Sequence, residues 1–178
     1  MKTPNRGPFI LAAAIFSLAT ATLADDPPEQ PQVEFTPGAQ GTFNVDWQGV
    51  AGRTYFTQFS LDLISWYYAP FIDFGDDSHH RGVDSTSPRL FLRLAYADVP
   101  GVESLEDAMN ADFSGDGLSN IFKVTHGYDP FKEDTHGTPD ALADPDQDGL
   151  TNLSEQALGT HPHRKDNPAV KLSVVVGN

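Results

Sequence analysis

Five oxygen-bearing side chains between residues 144 and 155 are spaced as ligands for one hard cation. The stretch reads Asp144-Pro145-Asp146-Gln147-Asp148-Gly149-Leu150-Thr151-Asn152-Leu153-Ser154-Glu155. Oxygen side chains fall at positions 1, 3, 5, 9 and 12 of a twelve-residue loop, with glycine at position 6, where the chain must turn sharply. Alternate side chains point inward, the Leu150 carbonyl at position 7 adds an oxygen, and Glu155 can close the loop with both of its own. Ca2+ takes six to eight oxygens and suits such a set. Without a cation, Asp144, Asp146 and Asp148 crowd like charges together. Calcium is therefore the expected cofactor.

The loop has an upstream copy. Asp112 stands 32 residues before Asp144, and the same offset pairs Asp116 with Asp148, Gly117-Leu118 with Gly149-Leu150 and Asn120 with Asn152. It continues through Gly127 and Gly159, Pro130 and Pro162, Asp134 and Asp166. Self-similarity at a fixed period means one structural unit used twice. In the first copy Asp112, Ser114, Asp116, the Leu118 carbonyl and Asn120 keep the ligand positions, but position 12 is Lys123, whose charge opposes a metal. Weak binding, an acid borrowed from elsewhere, and a vestigial loop all remain open for it.

Short helices are expected to position these ligands, over Ser119 to His126 and Thr151 to Leu158. Gly127 and Gly159 sit where a helix ends in a left-handed residue, with proline three residues later. Each helix is too short to be stable alone.

The region before the loops has a different periodicity. Thr42 to Trp47 and Thr54 to Phe59 alternate polar and apolar residues, and Arg89 to Tyr96 does so loosely. Turns are expected at Gly49 to Gly52 and Gly75 to Gly82. Five or six short strands over residues 33–98 predict a small antiparallel β-sandwich, with Phe43, Val45, Trp47, Tyr55, Trp66, Phe91 and Leu94 in its core. The fold class expected is mainly β, a sandwich followed by two calcium loops at residues 111–166. Residues 99–110 form the linker.

Residues 1–24 have the three parts of a secretory signal: Lys2 and Arg6, the apolar run Phe9 to Leu18, then small residues up to Ala24. Residues 25–32 are an acidic, proline-rich lead-in. The chain holds 25 acidic against 11 basic residues, a formal charge of −14. That excludes nucleic acid and anionic lipid surfaces as partners. With no cysteine there are no disulfides, thiolate sites or cysteine nucleophiles. An exported chain without disulfides needs another staple, and a bound metal supplies one.

The string D-x-D-x-D-G-L-T-N-x-x-E followed by G-T-x-P-x-x-x-D resembles the thrombospondin type 3 repeat of secreted bacterial proteins. Leu118 and Leu150 follow their glycines directly, as in those repeats; in EF-hands and dockerins the apolar residue comes one position later. The resemblance covers residues 107–166. It implies calcium held by Asp144, Asp146, Asp148, Asn152 and Glu155, and in the first loop by Asp112, Ser114, Asp116 and Asn120. Ser114 and Lys123 depart from its pattern. Gly52-Arg53-Thr54-Tyr55, Ser60 to Trp66 and Phe91 to Leu94 resemble a fibronectin type III-like module, which brings no catalytic residues.

Other features carry less. His79-His80 is expected in a surface loop, and His126, His136, His161 and His163 are scattered along the chain. Trp66-Tyr67-Tyr68 with Phe71 and Phe74 has the composition of a sugar-stacking platform, but a small sandwich needs such residues for packing. Asn152-Leu153-Ser154 fits the glycosylation triplet, although Asn152 already has a place in the loop. No G-x-S-x-G, H-E-x-x-H or phosphate-cradling glycine loop occurs. The expected protein is a secreted, non-enzymatic calcium binder, a stiff spacer or adhesion segment, with an extracellular protein or polysaccharide as partner. The alternative is an accessory or carbohydrate-binding part of a larger exported enzyme. The apolar run Val170 to Val176 at the end favours that second reading, because it reads as a strand just begun.

Overall fold

The computed structural model describes residues 33–37, 42–75, 78–83 and 89–165. The signal segment, the lead-in, Asp166 and the closing apolar run lie outside the described residues. The chain divides into two compact units, residues 1–111 and 112–178. Strand exceeds helix, in small antiparallel sheets and three short helices among the described residues.

The first unit holds seven strands among the described residues: β1 (Val33–Pro37), β2 (Phe43–Gln48), β3 (Arg53–Ser60), β4 (Tyr67–Tyr68), β5 (Asp73–Phe74), β6 (Ser78–Val83) and β7 (Phe91–Asp98). β1, β2 and β6 make one sheet in that order. In the other, β3 pairs with β7 along its whole length and with β4 and β5 on its opposite edge. That central place explains why β3 is buried almost throughout, more fully than its alternation predicts.

Val45 and Trp47 of β2, Tyr55 of β3, and Leu94 and Tyr96 of β7 form one apolar cluster, so both sheets contribute to the same core. Phe91 is buried beside them in sequence. Trp66, expected in the core, is only half-buried, and the Arg93 guanidinium lies 4.1 Å from its ring centroid. An indole edge left at the surface is stabilised by a cation over its face rather than by burial. Tyr67 is 58% exposed, whereas Phe74 is buried, so the aromatic run is divided between surface and core. The expected turn over Gly75 to Gly82 is also corrected, because Ser78–Val83 pairs in full register with β2. His79 and His80 therefore stand on a strand. The expected linker contains helix α1 (Leu105–Asn110), capped by the Ser104 hydroxyl, with Ala108 fully buried.

One end of the β3–β7 pair is tied down by Arg53. Its guanidinium meets Asp98 through two bonds of 2.7 and 2.9 Å and lies 4.1 Å from the Tyr96 ring centroid. The Arg53 carbonyl accepts the Gly75 N–H (2.7 Å), while the Arg53 N–H reaches the Val50 carbonyl (3.1 Å). This brings Gly75 against the Val50 backbone, where a Cβ would overlap the Val50 carbonyl oxygen. Gly75→Ala is therefore expected to cost about 2–4 kcal/mol in chemical denaturation, by forcing two backbone segments apart. Gly52→Ala, at a left-handed φ of 80° but in open space, should cost only about 1 kcal/mol.

Candidate metal centre

The second unit is built from the two loops and the short helix after each. The loop from Asp112 leads into helix α2 (Asn120–His126), and the loop from Asp144 into helix α3 (Asn152–Leu158). Ser119 caps α2 by accepting the Phe122 N–H, and Thr151 caps α3 by accepting that of Ser154. Both helices end on a left-handed glycine, Gly127 or Gly159. A short 3-10 turn, Asp140–Leu142, lies just ahead of the second loop.

Two backbone bonds recur between the loops, from Gly117 and Gly149 to the first aspartate and from Leu118 and Leu150 to the aspartate at position 5. Asp112 accepts the Gly115 and Gly117 N–H groups, both at 2.7 Å, and the Ser114 hydroxyl at 3.0 Å. Asp144 accepts those of Asp148 and Gly149, at 3.3 and 3.1 Å. Asp116 accepts the Leu118 N–H and Asp148 that of Leu150, each at 2.9 Å. Burial pushes Asp112 up, but its bonds from Gly117, Gly115 and Ser114 outweigh this and hold its carboxyl below the usual range.

In the second loop Asp144, Asp146 and Asp148 converge. Each offers a carboxylate oxygen, and these oxygens lie within 4.8 Å of one another. No other group of three or more His, Asp or Glu residues among the described residues comes as close. Asn152 and Glu155, one turn apart on α3, are fully buried, and both Glu155 carboxylate oxygens are sealed from solvent. Leu150, whose carbonyl was the expected seventh-position oxygen, is half-buried.

Asn152 provides the test of whether these residues suit a cation. Its Nδ2 donates to the Asp140 carbonyl (2.7 Å), which fixes the carboxamide, yet its buried Oδ1 accepts no hydrogen bond. One Asp146 oxygen, Oδ2, is likewise buried without a donor. In the first loop the equivalent Asn120 Oδ1 is satisfied by the Phe113 N–H (3.2 Å). The second loop has Pro145 at that position, and proline has no N–H. A buried amide oxygen deprived of its donor costs about 1–3 kcal/mol, which a cation would relieve. The donor set, all oxygen and mostly carboxylate, fits Ca2+.

The first loop is completed differently. Leu118 is fully buried with Phe122, Tyr128 and Ala141 in the apolar cluster of this unit. Lys123 is also fully buried. Its ammonium meets Asp116 at 2.7 Å and Asp140 at 3.2 Å and donates to the Lys132 carbonyl. Asp140 in turn accepts the Thr135 N–H (2.8 Å) and hydroxyl (2.7 Å). Nothing in the sequence pattern identified Asp140.

The structure gathers three of the scattered histidines. The rings of His126, His161 and His163 lie with centroids 5.0 to 6.2 Å apart. His163 Nε2 is 2.9 Å from the His126 carbonyl, and the His163 N–H donates to His161 Nδ1 (3.1 Å). Burial, then the neighbouring charges of His161 and His163, push His126 down to about 4. The fold thus favours neutral His126, while the unfolded chain takes up a proton near pH 6.5. This stability is complete above pH 6.5 and is lost as the pH falls from there toward 4. The ring is partly open to water, so solvent screening leaves about 1 kcal/mol between pH 7.5 and 5. The melting midpoint should fall by a few degrees over that range, and His126→Gln should flatten the fall; an equal slope in the variant would clear the cluster of any role.

No protein-family model, curated protein or solved structure matches this chain.

Proposed function

We propose that this is a secreted, non-enzymatic calcium-binding protein in which a small β-sandwich is followed by two loop-and-helix units. Calcium acts structurally, stiffening the acidic loops as a spacer or adhesion segment. The ion is held by Asp144, Asp146, Asp148, the Leu150 carbonyl, Asn152 and Glu155. The observation that carries this reading is the buried Asn152 oxygen without a donor, in the same twelve-residue loop as three converging aspartates. Solvation alone would not account for it, since a solvated acidic turn has no need to bury an amide and a glutamate.

Calcium has a clear structural task here. The apolar cluster of the second unit is small, and its helices of seven residues cannot persist alone. Extracellular calcium modules bind at roughly 10⁻⁴ to 10⁻³ M. At about ten times the tighter of these values, which is millimolar calcium, binding adds about 1.4 kcal/mol to stability.

Thermal melts of the purified protein in millimolar calcium and in chelator test the reading. Calcium should raise the midpoint of the second unit by on the order of 10 °C. Asp148→Ala should abolish that rise. An unchanged melt, together with no heat on calcium titration, would sink the proposal.

A further inference from the structure

We propose that the Lys123 ammonium is the resident cation of the first loop, so that the paired loops take one calcium ion and not two. The count of ions rests on the calcium reading of the second loop; the role of Lys123 does not.

Lys123 and Glu155 hold the same position in their loops, and both side chains are fully buried. One carries a positive charge where the other carries a negative one. A buried ammonium must find acceptors, and Lys123 has Asp116 at 2.7 Å, Asp140 at 3.2 Å and the Lys132 carbonyl. The ammonium therefore donates to the Asp140 carboxylate and the Lys132 carbonyl and lies in close ion contact with the Asp116 carboxylate, all of them oxygen, as around a hard cation. The side chains of Asp116 and Asp140 are nearly as buried as the lysine itself, at 6% and 1% exposure. Nothing about this resembles a surface ion pair.

The rest of the first loop is consistent with a cation already present. Asp116 is the fifth-position ligand, and it is bound to the lysine. Asn120 is the ninth, and its oxygen is taken by the Phe113 N–H. Asp112 and Ser114, at positions 1 and 3, are bonded to each other (3.0 Å). A metal entering here would have to break these bonds beside a fixed positive charge.

The tethered cation also reaches the second loop. Asp140 binds Lys123 through its carboxylate and Asn152 through its carbonyl, at 2.7 Å. The ammonium of one loop thus holds the turn on which a ligand of the other is hung.

Calcium titration calorimetry and melts in chelator, on the purified protein and three variants, test this. The native chain should bind one ion, and Asp112→Asn should leave that stoichiometry and its affinity unchanged. Lys123→Met strands two buried carboxylates and should lower the chelator midpoint by about 10 °C or more. Lys123→Glu restores an acid at position 12 and should bind a second ion if it folds. A native chain that binds two ions, one lost with Asp112→Asn, would overturn the proposal, as would an unchanged chelator melt for Lys123→Met. If the native chain binds no calcium while Lys123→Met still melts early, the calcium reading fails and the role of Lys123 stands.

Discussion

A charge taken out of water must meet its opposite at hydrogen-bond distance, and the second unit is organised around that requirement. Among the described residues its apolar cluster is Leu118, Phe122, Tyr128 and Ala141, while Lys123, Asp140, Asn152 and Glu155 are sealed as completely. Desolvating an isolated ion costs several kcal/mol even after relaxation, so such groups persist only in well-bonded clusters. Asp140 supplies the common partner. It joins Lys123, Thr135 and Asn152, three points from both loops and the segment between them. The polar network therefore defines the tertiary arrangement that a cluster of four apolar residues is too small to impose.

The two loops are a natural comparison, because their caps agree while positions 2 and 12, among others, differ. At position 2, Phe113 offers an N–H and Pro145 does not. At position 12, Lys123 brings a positive charge and Glu155 a negative one. The differences act in the same direction. Where the lysine is present the asparagine oxygen has a donor and the loop is internally satisfied. Where the lysine is replaced by glutamate the donor is gone as well, and the asparagine oxygen is left open. Either change alone would leave a loop half-suited to a metal. Together they distinguish a loop that holds the Lys123 ammonium from one in which three aspartates converge.

Much of this was legible in the residue spacing, and the remainder was hidden for physical reasons. The helices after each loop and their glycine ends arise from local rules, since caps and turns depend on neighbours in the chain. Val45, Trp47, Tyr55 and Leu94 were readable as core from alternation. Ser78–Val83 was not readable as a strand, because Ser-His-His-Arg-Gly-Val has little strand preference and its pairing with β2 comes from far along the chain. Trp66 was misplaced because a large aromatic reads as core whether burial or a guanidinium covers it. The burial of Lys123 and the meeting of His126 with His161 and His163 depend on contacts between residues 17 to 37 apart. Spacing within one loop carries no trace of them.

Helix α3 explains why an ion at the second loop would be felt beyond it. The helix has seven residues, so its position depends on side-chain attachments rather than on its own hydrogen bonds. Asn152 and Glu155 are both fully buried. The next residue, Gln156, reaches the first loop: its Oε1 accepts the Ser119 N–H and hydroxyl, at 2.7 and 3.0 Å, and its Nε2 donates to the Gly117 carbonyl at 3.0 Å. Those bonds grip the residue that caps α2. Glu155 and Gln156 are neighbours on this one short helix, so an ion bound at Glu155 would act on the turn whose next side chain clasps the first loop.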